Sequence, residues 1–182
     1  MSADHSLPKS LNDLAPAFQG CVTWSAKAIL ETDIRVVTPF LISDSYPENS
    51  SLYCMLPISS EKYHCLLSVG VNEDDLAGIF PGEVDEKLRR DALGEIANVI
   101  SGLFVADDGF IDRFGRLRAS TPFFSEGVYT SRPDWSIRGS IEAAEKELLF
   151  NFSVRVQGDG DLDGKRAAEK HGLKFKEGGM PA

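Results

Sequence analysis

Residues 148–156 alternate Leu148, Phe150, Phe152, Val154 and Val156 with the polar Asn151, Ser153 and Arg155. A period of two puts every apolar side chain on one face and the polar ones on the other, so this segment is a strand with one dry and one wet face. Such a strand needs a sheet beside it and a covering layer on one side only. The chain supplies both. Ile34 to Ile42 is β-branched and alternates Ile34, Val36, Phe40 and Ile42 against Arg35 and other residues. Leu52 to Ile58 and Tyr63 to Val71, separated by Ser59–Lys62, suit a hairpin, and Leu117 to Phe124 and Trp135 to Ala143 add two further strands.

Helical patterns fall between them. Asn12 to Leu30 has Asn12 or Asp13 as cap, Pro16 in its first turn, and Phe18, Val22, Ser25 and Ile29 along one stripe. After the turn-rich Asp44 to Ser51, Glu73 to Phe80 reads as a short helix stopped by Pro81-Gly82. The acidic Glu83, Asp85 and Glu86 then open a long helix running to about Val105, ended by Asp107-Asp108-Gly109. The order predicts an α+β layered sandwich, a largely antiparallel sheet with helices packed on one side. Residues 12–156 are expected to form one domain between a flexible amino terminus, 1–11, and a Gly-rich, charged, flexible tail, 157–182. In that tail Asp159, Asp161 and Asp163 resemble a calcium loop, but its twelfth position is Lys170 rather than Glu.

Composition removes several classes of function. A net charge of -9 argues against nucleic acid or anionic membrane as a bulk-charge partner. No segment approaches the roughly 18 apolar residues of a membrane span, and the first ten residues have no apolar signal core, so the cytoplasm is expected. Cys21, Cys54 and Cys65 lack C-x-x-C spacing, and their odd number suits reduced thiols; Cys54 and Cys65, even if they face each other across a hairpin, read as small buried hydrophobes. His5, His64 and His171 are scattered, and His64 has no acidic orienter nearby. We expect no metal site and no cofactor of its own.

The long helix carries the chemistry. At about 100° per residue, Leu88, Ala92, Leu93, Ile96, Ala97, Val99, Ile100, Leu103 and Phe104 fill one arc, and Asp91, Gly94, Glu95, Asn98, Ser101 and Gly102 the opposite one. Asp91 and Glu95 repel at i,i+4 spacing with no Lys or Arg three or four residues from Glu95, and Gly94 costs about 1 kcal/mol relative to Ala in mid-helix. A flat acidic face with one carboxamide, carrying such small defects, suits the approach of another molecule.

The pattern Asp91-x3-Glu95-x2-Asn98, followed by Val99-Ile100-Ser101-Gly102, resembles the signature helix of the CheX, CheC and FliY group of chemotaxis phosphatases. Downstream, Ala119-Ser120-Thr121-Pro122-Phe123-Phe124-Ser125-Glu126-Gly127 looks like the S-T-P-x-x-x-x-G strand and turn of CheX-type members. The first helix has no counterpart of the Asp-x3-Glu-x2-Asn pattern, and a single motif is similar to the CheX type rather than the CheC type. The resemblance implies a CheC-like fold, a homodimer joined through sheet edges, and dephosphorylation of a CheY-like response-regulator receiver domain.

It also implies roles. Asn98 would orient the attacking water, since a carboxamide both donates and accepts, as the water-positioning Gln does in GTPases. Glu95 would pair with the Lys of the receiver's phosphorylation site. Asp91 would sit on the rim or remain solvated, and Gly94, Ser101 and Gly102 would keep the surface low so that the short Asn98 reaches a recessed phosphate. Mg²⁺ would be held by the receiver. The departures are Gly94 before the Glu and the Thr130–Trp135 insertion. The alternative is an adaptor of the same fold that binds a receiver without hydrolysing its phosphate. A third reading is a small-molecule sensor or unrelated interaction protein, since the chain has neither a Gly-rich phosphate loop nor a nucleophile with a paired base.

Overall fold

The computed structural model describes residues 13–43, 50–80, 85–126 and 133–156. The expected flexible ends, Asn12 as a cap, most of the 44–51 loop, Pro81-Gly82, Gly127 and residues 130–132 of the insertion lie outside them. Helix α1 (Leu14–Leu30) is followed by strand β1 (Ile34–Ser43) and the hairpin β2 (Leu52–Ser59) and β3 (Tyr63–Val71). A 3₁₀ turn, Glu73–Asp75, leads into the one-turn α2 (Leu76–Ile79), then the long α3 (Glu86–Phe104) and a further helix α4 (Asp108–Phe114). Strands β4 (Arg118–Ala119), β5 (Phe123–Glu126), β6 (Trp135–Ala143) and β7 (Lys146–Val156) complete the domain.

All pairings are antiparallel, in the order β1-β6-β7-β3-β2-β4, with β5 beside β4 along β2. The dry face is the one the alternation requires: Leu148, Phe150, Phe152 and Val154 of β7 join Cys65, Leu67, Val69 and Val71 of β3 in one core with α1, α3 and α4. At its centre the Phe104 ring lies 5.0 Å from each of the Phe18, Phe110 and Phe152 rings. Offset and tilted rings at this spacing add to the burial of their area. The helices therefore share one side of an antiparallel sheet, as the sequence predicts. No helix of the described residues is long and apolar enough to cross a membrane.

Three expectations are corrected and one open possibility is closed. Asp107-Asp108-Gly109 does not simply end α3: the Asp107 carboxylate accepts the Phe110 N–H at 3.2 Å and caps α4, whose Phe110 and Phe114, one turn apart, enter the core. The run 117–124 is not one strand, because Thr121-Pro122 breaks it into β4 and β5. Cys54 pairs with Val69 and Cys65 with Ile58, so the two thiols are not opposite each other; both are buried and free. The second face of the sheet is not simply wet, since Ser68, Ser136, Ser140 and Ser153 on it are buried.

The β6–β7 hairpin turns on two residues, between the paired Ala143 and Lys146, with Ala144 at φ 49° and Glu145 at φ 61°. Two-residue hairpin turns with both φ positive favour Asn-Gly because a Cβ is crowded in that conformation. Glu145→Gly is expected to raise stability by roughly 1 kcal/mol, seen as a higher urea midpoint at unchanged slope.

Candidate functional site

Helix α3 starts where the Asp85 carboxylate accepts the Leu88 N–H at 2.8 Å, and is held by Leu93, Ile96, Ala97, Ile100 and Phe104, all buried. That anchoring fixes what points outward. Asp91, Glu95, Asn98 and Gly102 are all exposed along one side. Among the described residues the side chains of Asp91, Glu95 and Asn98 have no hydrogen bond or ion pair. Glu95 and Asn98 stand about 4.5 Å apart along the helix axis. An unpaired carboxylate beside a carboxamide with its donors and acceptor unused can bind a cation and orient a small polar molecule at once.

Other expected members of this face are elsewhere. Gly94 and Ser101 are buried rather than on the exposed face. The helical wheel misplaces them because small residues count as polar although they fit where another element packs closely. A Cβ built on Gly94 would lie 3.8 Å from Cζ of Phe124, an ordinary contact. Gly94→Ala is therefore expected to stabilise the protein by about 0.5–1 kcal/mol with the exposed face unchanged, measured by urea unfolding. Leu88 and Leu103, assigned by the wheel to the core, are 55% and 42% exposed. They flank the polar residues and form the apolar border of the same surface.

The two motifs meet. Ser120 donates its N–H to Pro57 O at 2.8 Å, Thr121-Pro122 ends the β4 pairing, and β5 then runs along β2 with Phe124 opposite Cys54. This brings Phe124 against Gly94, one residue before Glu95. The same strand ends at Glu126, which accepts from Arg90 of α3 at 3.2 Å; Arg90 also binds Glu86 at 2.8 Å and the Glu73 carboxylate. Partly exposed pairs of this kind contribute little net stability, but four groups from three elements define where the helix sits. Arg90 was not singled out from the sequence, although its i,i+4 spacing from Glu86 was a readable signal.

The face is open rather than enclosed. Two hollows in the described surface, one against β1, β6, β7, β3 and β2 and one between the β2–β3 hairpin and the end of α4, do not include Glu95 or Asn98. An exposed helix surface suits a partner that brings the reacting group with it. The thiols offer no alternative chemistry: burial pushes Cys54 and Cys65 up to about 12, and burial together with the Asp107 charge raises half-buried Cys21.

No family model matches the sequence, and no curated protein matches it significantly. Solved structures do. A putative chemotaxis protein from Desulfovibrio vulgaris Hildenborough superposes with a TM-score of 0.62 at 16% identity, covering 79% of this chain and 97% of its own. The chemotaxis protein CheX from Vibrio vulnificus gives 0.60 at 13% identity over 79% and 99% of the two chains. A CheX–CheY–BeF3–Mg complex from Borrelia burgdorferi gives 0.57 at 10% identity, again over 79% and 99%. The chain has the CheX/CheC-like fold.

Proposed function

We propose that the protein is a phosphatase for the aspartyl phosphate of a CheY-like receiver domain, acting by positioning the attacking water. The observation that carries this reading is Glu95 and Asn98, exposed, unpartnered and one turn apart on a helix buttressed by the Ser-Thr-Pro strand. The fold is shared with a CheX that forms a complex with CheY. An aspartyl phosphate is an activated acyl phosphate, and the receiver contributes its own Mg²⁺ and Lys. What is left to the phosphatase is alignment. Asn98 holds the water in line, its amide accepting one water proton and donating to the phosphoryl oxygen or the water. Glu95 draws the receiver's Lys into a charge-assisted pair that locates the helix. Gly102, with nothing within 4 Å of a built Cβ, keeps the surface low beside them. Asp91 is a rim charge. Orientation and exclusion of stray water lower the barrier by a few kcal/mol, and each 1.36 kcal/mol is about tenfold in rate.

On this reading the protein works in the cytoplasm, beside its receiver. β1 is a sheet edge, with Val37 and Leu41 exposed, and is the surface we assign to a second copy in a homodimer. To test the activity, receivers from the same cell are phosphorylated with a small phosphodonor and followed for phosphate release with Mg²⁺ present. The expected result is faster loss from at least one receiver when the protein is added; equal rates for all of them contradict the proposal.

A further inference from the structure

Away from α3, an open hollow of about 690 Å³ lies between the β2–β3 turn and the segment that leaves α4 for β4. Among the described residues that line it are four cations, Lys62 in the turn, Arg113 in the last turn of α4, and Arg116 and Arg118 beyond it, against one carboxylate, Glu61. The chain as a whole carries a net charge of -9, so this local excess runs against its composition. Packing gathers the cations. Tyr63 and Phe114 meet edge to face with ring centroids 5.2 Å apart, which joins the end of the hairpin to the end of α4. Gly115, at φ 69°, donates its N–H to Ile111 O at 2.8 Å and turns the chain out of the helix. Arg118 then stands opposite Ser59 in the β2–β4 ladder, beside the same turn.

Little of this charge is used within the fold. Arg113 has one long contact, 3.6 Å, with the exposed Asp13. Among the described residues the side chains of Lys62, Arg116 and Arg118 have no hydrogen bond or ion pair, and all three are exposed. Like charges held around one hollow repel each other, and an anion placed among them reverses the sign of that energy. The turn adds a neutral donor. Ser60 Oγ accepts the N–H groups of Lys62 and Tyr63, both at 3.2 Å, which leaves its own proton to donate outward.

We propose that this hollow binds a small oligophosphate through its phosphoryl oxygens. Guanidinium groups match carboxylate and phosphate alike, but the donors here come from separate segments, the β2–β3 turn, the end of α4 and the start of β4. The oxygens of a carboxylate lie in one plane and serve one side. Tetrahedral phosphates present oxygens in several directions and serve all these donors together. Small-molecule sites run to about 300–1,000 Å³, so the hollow has room for more than one phosphate. Glu61 offsets one of the four positive charges and leaves an excess that suits a multiply charged anion. Neither Glu95 nor Asn98 lines this site, and the assignment does not rest on the phosphatase reading.

Pyrophosphate is the probe, titrated calorimetrically into the full chain at low salt without Mg²⁺, beside citrate, which has a similar charge, and ADP, which holds a diphosphate on a nucleoside. Saturable pyrophosphate binding at one site per chain is expected, with a submillimolar Kd at least about tenfold tighter than that of citrate. ADP affinity at or below that of pyrophosphate identifies a bare diphosphate as the ligand chemistry, and higher affinity a nucleotide; both support the proposal. Arg116→Gln combined with Arg118→Gln is expected to weaken pyrophosphate binding about tenfold or more. Lys27→Gln combined with Lys87→Gln removes the same charge from exposed positions outside the hollow and is expected to change it less than about threefold. Folding of each variant is checked by its unfolding midpoint. The proposal is overturned if pyrophosphate does not saturate, if citrate binds as tightly, if the folded arginine variant retains full affinity, or if both double variants lose affinity equally because only overall charge attracts the anion.

Discussion

Asn98→Ala is expected to slow phosphate loss from the phosphorylated receiver by about a hundredfold, while its Kd for that receiver changes less than about threefold. Asn98 is exposed and its side chain makes no hydrogen bond or ion pair among the described residues, so stability should stay within about 0.5 kcal/mol of the parent. The loss falls on the step in which a water must be aligned. An amide helps there through its two hydrogen-bonding functions, and neither survives truncation to a methyl group. Glu95→Ala gives a different pattern. Its carboxylate acts by charge on the receiver's Lys, so binding and rate both fall, and added salt should narrow the gap between parent and variant. Single-turnover rates together with separately measured affinities distinguish the two.

Phe104→Ala is expected to destabilise the protein by about 3–5 kcal/mol. Its ring joins α1, α4 and β7 through Phe18, Phe110 and Phe152 at 5.0 Å each, and truncation leaves a void that four elements border. Against a typical total of about 5–15 kcal/mol this is a large share, and the urea midpoint should fall accordingly. Activity should be lost in proportion to the unfolded fraction, with the folded molecules turning over at the parent rate. That contrasts with Asn98→Ala, which leaves the midpoint nearly unmoved and slows the folded molecules themselves.

The sheet was legible because its periodicity is strong. Tyr63–Val71 and Trp135–Ala143 are bounded in the structure as the alternation bounds them, and Leu148, Phe150, Phe152 and Val154 reach the core, whereas Val156, expected on the same face, is exposed at the strand's end. Helix α4 was missed because Asp-Asp-Gly is a helix stop and a helix start at once; the Phe110–Phe114 spacing was the available signal. On α3 the wheel found Asp91, Glu95, Asn98 and Gly102 on the exposed side but erred at its margins. Gly94 is covered by Phe124, and Ser101 is buried with its hydroxyl unpaired, while Leu88 and Leu103 project outward. Those four depend on where β5 and α1 pack, which is a long-range fact. The contact of Phe124 with Gly94 and the Arg90 cluster were equally invisible, since no local pattern brings the two motifs together. The shielded second face of the sheet, with its unpaired Asn151, ran against a simple reading of polar residues as solvated.

Multiple turnover separates a phosphatase from a receiver-binding adaptor. With the protein at about one-tenth of the phosphorylated receiver's concentration and Mg²⁺ present, release of inorganic phosphate is followed to completion. Complete release is expected, at an accelerated rate that scales with protein concentration and is largely lost in Asn98→Ala, each molecule clearing many receivers. Tight binding with phosphate lost at the receiver's own rate would contradict it and identify an adaptor of the same fold.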